Sequence, residues 1–212
     1  VRELCNNHGI ILIFDECSSG FRETYGGLHL KYKVYPDLAI FGKALGNGYA
    51  ITSVIGKREV MEAAQTTFIS STFWTERIGP NAALKTLEIM EREKSWEQIT
   101  KLGKYLRKGW KEISKKNNLD IEIMGIPALT SFSFNSKYNL EYKTLITQEM
   151  LNYGFLASNA CYLSIAHNKK LIDSYLEKLD ILFEKIKSCE ESENVKEYLK
   201  SPVCHSGFRR LN

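Results

Sequence analysis

Two short runs of β-forming apolar residues, Ile10-Ile-Leu-Ile-Phe14 and Leu38-Ala-Ile-Phe41, each lead into residues that carry chemistry. The first runs directly into Asp15-Glu16. The second is opened by Pro36-Asp37 and followed by Gly42-Lys43-Ala-Leu-Gly46-Asn-Gly48. Continuous apolar runs of this length, without polar alternation, predict strands buried on both faces, the kind found in parallel sheets. A lysine just past such a strand, followed by glycines, can be held beside a flat ligand with little crowding. An aspartate at the end of a neighbouring strand can meet that ligand from a different side. A third run, Ile51-Thr-Ser-Val-Ile55, ends at Gly56.

Composition narrows the function classes. The chain has 212 residues, 43% of them apolar and 25% charged, so one or two globular domains with real cores are expected. The net charge of +4 comes from Lys and Arg interspersed with Asp and Glu, which argues against a nucleic-acid partner. No apolar run approaches the roughly 20 residues needed to cross a bilayer, so no membrane association is expected. Five cysteines at irregular spacing suggest neither a disulfide framework nor a zinc site, and fit reduced thiols in a cytoplasmic protein. The chain opens on Val1, and Val1 to Cys5 reads as the tail of an amphipathic helix stopped at Gly9, as if the sequence began inside a domain.

Further along, Lys57 to Gln65 and Arg77 to Arg92 have helical spacing, the latter with Ile78, Ala82, Leu84, Leu87 and Met90 as its apolar stripe. Ser95 is placed to cap a helix reaching about Asn117. The pattern then changes to short strands at 120–124 and 129–134, a helix at 144–151, and a short apolar run at 163–166. A long amphipathic helix over 169–187 follows, with Ile172, Tyr175, Leu179, Leu182 and Ile186 aligned.

Ile11-Leu-Ile-Phe-Asp15-Glu16-Cys-Ser-Ser-Gly20-Phe-Arg22, Pro36-Asp37 and Phe41-Gly-Lys43 through Gly48 together resemble the signature of class III (ornithine-type) aminotransferases, which use pyridoxal 5'-phosphate (PLP). The separation of Asp15 from Lys43, 43 − 15 = 28 residues, fits that pattern. Gly20-Phe21-Arg22 and Ser71-Thr72-Phe73-Trp74 resemble the branch containing glutamate-1-semialdehyde aminomutase, and the likeness continues to Ala166-His167. The resemblance implies an α/β fold of PLP fold type I. Residues 1–100 would be the C-terminal part of the PLP-binding large domain, and 101–212 a small C-terminal α+β domain. It also implies that the chain corresponds to the C-terminal half of such an enzyme, without the upstream phosphate cup.

The roles implied follow residue by residue. Lys43 is the Schiff-base lysine and proton carrier; most lysines merely face solvent, and only the surrounding motif sets this one apart. Asp15 holds the pyridine nitrogen protonated. Following four apolar residues, it is expected to be buried and to need a partner, with a backbone N–H cluster or Arg22 as the ordinary alternatives. Glu16, pointing the other way along the strand, is expected to have a structural or hydrogen-bonding role at most. Cys17, expected on the Asp15 side by strand alternation, packs against the ring or is simply a core cysteine. Thr72 hydrogen-bonds the phosphate in a neighbouring subunit, so a homodimer with shared sites is implied; a solvated Ser/Thr loop is the alternative. Arg77 would bind a substrate carboxylate or pair with Glu76 or Glu88. The activity implied is amino transfer from a small-molecule amino donor to a carbonyl acceptor, with intramolecular transfer of the aminomutase kind as the alternative. A fragment without independent activity also remains open.

Overall fold

A computed structural model describes residues 1–71 and 73–207. The chain divides into two compact units, Val1–Gln98 and Ile99–Asn212.

The first unit is built on a three-stranded sheet in the order β1 (Ile13–Asp15), β2 (Leu38–Phe41), β3 (Ser53–Gly56). β1 and β2 run parallel, pairing Ile13 with Leu38 and Asp15 with Ile40. β3 is antiparallel to β2. Helix α1 (Arg2–Asn7) precedes β1, and the one-turn helix α2 (His29–Tyr32) lies in the β1–β2 connection. After β3 come α3 (Arg58–Met61), a 3₁₀ turn over Glu62–Thr66, and α4 (Ile78–Glu93). Glu76 accepts the first free amides of α4, from Ile78 and from Gly79 at 3.1 Å, and so supplies the cap that Arg77 does not. The buried apolar cluster here is small: Ala39, Phe41, Leu45 and Ala83, with Phe21 and Ile51 against it.

Three expectations are corrected in this unit. The first apolar run is not a strand buried on both faces: only Ile13–Asp15 is strand, and Ile10, Ile11 and Ile13 stay about half exposed, at 51, 50 and 51%. The reason is that β1 is the edge of this sheet, paired on one side only among the described residues. The third run shifts to Ser53–Gly56, with Val54 and Ile55 exposed. The stripe foreseen on α4 is partly wrong, since Gly79, Ala83 and Met90 are buried while Ile78 and Leu84 are exposed.

The beginning of β2 is fixed by charge. Asp37 is buried and accepts from Lys57 Nζ at 2.7 Å, the Leu12 amide at 2.8 Å and Arg2 at 2.8 Å. Those contacts, led by Lys57, hold its carboxyl well below the usual range. One side chain thereby ties α1, the start of β1 and the end of β3 to β2.

The second unit has a larger core. Helix α5 (Ser95–Lys116) leads into an antiparallel sheet of β4 (Ile121–Ile126), β5 (Leu129–Phe134) and β6 (Ala160–Tyr162), with β5 central. Helices α6 (Asn139–Asn152) and α7 (Lys169–Ser192) contribute to the same core. β5 alternates as a half-buried strand should, with Thr130, Phe132 and Phe134 inward. Phe132 stands edge-on to Trp110 at 4.8 Å and to Phe183 at 5.7 Å, the geometry that ring quadrupoles favour. Ile172, Tyr175, Leu179, Leu182 and Ile186 are all buried, as the periodicity of α7 predicts. Asn168 caps that helix through the Leu171 amide at 2.9 Å.

Candidate active site

Parallel pairing brings the C-terminal ends of β1 and β2 side by side, and the ladder continues one step with the Glu16 amide donating to Ile40 O at 2.9 Å. Ligands in sheets of this kind bind where strands end. Asp15 is the last residue of β1, and Lys43 lies two residues beyond β2.

The chain turns sharply after Asp15. Its Oδ1 accepts the Cys17 amide at 3.0 Å, and the Gly20 amide closes onto Glu16 O at 2.8 Å. This is an Asx turn, in which an aspartate side chain mimics a backbone acceptor. Gly20 is required there, because a Cβ would lie 2.6 Å from the ring of Phe41.

Glu16, not Asp15, is the buried carboxylate. It accepts four hydrogen bonds: from Ser19 Oγ at 2.6 Å, the Leu28 and His29 amides at 2.8 Å each, and His29 Nδ1 at 3.0 Å. Burial pushes its carboxyl up, but the bonds from Ser19, His29 and Leu28 outweigh this and leave it below the usual range. Its work is to anchor the turn and α2. Asp15 is exposed, contrary to expectation, because β1 ends with its last side chain at an open sheet edge. Arg22, offered as its alternative partner, instead donates Nε to Ser18 O at 2.9 Å.

Lys43 opens a 3₁₀ turn over Lys43–Leu45, held by the Leu45 amide on Gly42 O at 3.0 Å and the Asn47 amide on Lys43 O at 3.0 Å. Its φ of 43° lies in the left-handed region, which costs a non-glycine residue on the order of 1–2 kcal/mol. Its side chain is exposed, and Nζ donates to Ser18 Oγ. Gly42 makes room beside it: a Cβ there would lie 3.0 Å from Cys17 Sγ and 3.4 Å from Thr52. Cys17 thus packs against the residue before Lys43. The strand has ended by then, so the Asx turn places Cys17, not strand alternation.

The structure therefore gathers Asp15, Cys17 and Lys43 at one end of β1 and β2. Thr72 lies outside the described residues. Arg77 is exposed and makes neither expected ion pair: Glu76 caps α4, and Glu88 pairs with Lys85 at 2.6 Å. Ser18 was missed by the sequence reading. Its only signal was its place inside the Asp15–Gly20 turn. A cavity of about 720 Å³ opens along β1, lined by Phe14, Asp15, Glu16, Ser19, Leu28 and His29 among others, but not by Lys43. Among the described residues no cluster suited to a metal ion occurs.

These residues suit PLP. An exposed amine and an exposed carboxylate leave the adjacent ends of two paired strands, which offers a planar ring two chemically distinct contacts.

The family profile described as "Aminotransferase class-III" matches residues 1–189. The chain is 38% identical over 149 residues to a 3-aminobutyryl-CoA aminotransferase of Cloacimonas acidaminovorans, covering 70% of this chain and 36% of that protein. It is 30% identical over 203 residues to a glutamate-1-semialdehyde 2,1-aminomutase of Methanosphaera stadtmanae, covering 88% and 48%. The fold matches the FumI protein of Sphingopyxis sp. MTA144, solved in its PLP internal aldimine form. The TM-score is 0.82 at 25% identity, over 90% of this chain and 47% of that one. It also matches an omega-transaminase from Sphaerobacter thermophilus, with a TM-score of 0.78 at 21% identity over 86% and 46%. The chain spans about half the length, or less, of the curated relatives it matches. It belongs to the class III aminotransferases, a family of PLP-dependent enzymes.

Proposed function

We propose that this chain carries the lysine and the ring-facing carboxylate of a PLP-dependent amino-transfer site, acting between a small amino donor and a carbonyl acceptor. When bound, PLP supplies a pyridine ring that spreads the charge left by loss of a substrate proton. Lys43 is the covalent attachment point, and its released Nζ takes that proton and returns it. Asp15 keeps the ring nitrogen protonated, which stabilises charge as it develops. Cys17 packs against the ring, and Thr72 has the role the family resemblance implies, that of a phosphate partner for a neighbouring subunit. Exposed Phe68, Phe73 and Trp74, at 95, 68 and 68% exposure, support a homodimer that covers them. The five cysteines are all free, which fits a reducing, cytoplasmic setting.

The observation that carries this reading is the exit of Lys43 and Asp15 from neighbouring ends of two parallel strands. Borohydride reduction of the chain with PLP, followed by peptide mapping, tests it. The label is expected on Lys43 and absent from Lys43→Arg; a label concentrated on Lys57 or another lysine rejects the assignment. A second reading, aminomutase chemistry on one carbon skeleton, is favoured by the 30% identity to an aminomutase across 88% of this chain. Conversion of glutamate-1-semialdehyde without any second substrate would select it.

A further inference from the structure

Among the described residues, the amine of Lys43 has a single hydrogen-bond partner, the hydroxyl of Ser18. Ser18 is held from both sides of the chain. The residue before it, Cys17, is tied through its amide to Asp15 at 3.0 Å. The residue after it, Ser19, is tied through Oγ to buried Glu16 at 2.6 Å. Its own carbonyl takes Arg22 Nε at 2.9 Å. The hydroxyl therefore sits on a turn anchored at the end of β1, while the amine it meets comes from the turn after β2.

We propose that Ser18 is the positioning residue of Lys43: its hydroxyl holds Nζ at the shared C-terminal ends of β1 and β2. The proposal rests on Lys43 being the attachment lysine. An exposed lysine otherwise spreads its amine over many rotamers, so that only a small fraction of them face a given reactant. A left-handed backbone at Lys43 sets where the side chain starts, and Ser18 sets where it ends. The residue type matters. A carboxylate here would hold the protonated amine strongly and resist its deprotonation. A hydroxyl both accepts and donates, so it can hold Nζ as ammonium and as free amine. Only the free amine has the lone pair that forms the new N–C bond to an aldehyde, with loss of one water.

Asp15, Cys17 and Arg22 lie in the turn after β1, and Glu76 and Arg77 at the start of α4; among the described residues none of these bonds Nζ, whose partner is the Ser18 hydroxyl. Ser18 is exposed and sits in a turn, so replacing it leaves the core untouched.

The test uses the full chain with ¹³Cε-labelled lysines, the Lys43 signal being assigned by its loss in Lys43→Arg. Relaxation of that signal gives the mobility of the Lys43 Cε without any cofactor. Loss of the bond frees the amine end of the side chain, so Ser18→Ala is expected to lower the order parameter of that carbon roughly twofold. In parallel, the share of borohydride-fixed PLP found on Lys43 relative to all lysines should fall several-fold in Ser18→Ala. Ser18→Thr should restore both readings. An unchanged order parameter together with an unchanged label share in Ser18→Ala overturns the proposal. If wild-type chain itself carries no label on Lys43, the reading of Lys43 fails, while the cofactor-free order parameter still decides whether Ser18 holds its amine.

Discussion

The two units of this chain use similar amounts of sequence very differently. Residues 99–207 enclose a core in which Trp110, Phe132, Tyr142 and Phe183 are all but inaccessible to solvent. Residues 1–98 bury four apolar residues as their cluster and leave several isoleucines half exposed. Yet the buried carboxylates among the described residues, Glu16, Glu23 and Asp37, all lie in the first unit. Glu16 with its four donors and Asp37 with its three hold turns and strands in place. The comparison teaches that one unit derives its order mainly from packing and the other from a few fully satisfied buried carboxylates. The residues proposed to react stand in the second kind of setting, where a backbone strain such as that of Lys43 is held by hydrogen bonds rather than by a dense core.

The largest effect expected from breaking this contrast is in the packed unit. Phe132→Ala removes a ring enclosed by Trp110, Phe134 and Phe183, and should cost about 3–5 kcal/mol in denaturant unfolding of that unit. Lys43→Arg should leave stability within about 0.5 kcal/mol while abolishing the covalent PLP label. A large stability loss there would mean the lysine is structural.

Acid should separate the units. Glu16 and Asp37 both have folded pKa values below their ordinary ones. Their stabilisation is therefore fully present above the ordinary carboxylate range near about pH 4 and is lost as pH falls through the lowered folded values. Amides of Leu12, Leu28 and His29 should lose exchange protection on acidification before those of β5 and α7. Simultaneous loss across both units would contradict the division. The smallest effect concerns strain: Lys43→Gly should stabilise by up to about 1 kcal/mol, because glycine accepts a φ of 43° freely, although part of the gain is offset by its greater unfolded entropy. Equilibrium unfolding measures it.

Much of this was legible in the sequence for a physical reason. Where burial is strong, periodicity reports it, and the stripe of α7 and the strand 129–134 come out as read. Where burial is weak, periodicity misleads: the run Ile10–Phe14 has the composition of a buried strand but occupies an edge. The same error passed to Asp15, judged buried from its apolar neighbours, whereas Glu16 took that place through the turn that follows. Strand alternation was the wrong ground for placing Cys17, because it holds only while a strand continues and an Asx turn at Asp15 ends it, and Ser18, inside that turn, was not singled out. The contact between Ser18 and Lys43 joins residues 25 apart and leaves no trace in local spacing.

The central claim is that the chemistry of this chain sits at the paired ends of β1 and β2, in the lightly packed unit. Hydrogen exchange followed peptide by peptide, with and without PLP, tests it most directly. PLP should slow exchange in peptides covering Asp15–Gly20 and Phe41–Gly48, leave β5 and α7 unchanged, and have no effect at the first two segments in Lys43→Arg. Protection confined to residues 99–207, or protection at Asp15–Gly20 that survives Lys43→Arg undiminished, would contradict the account.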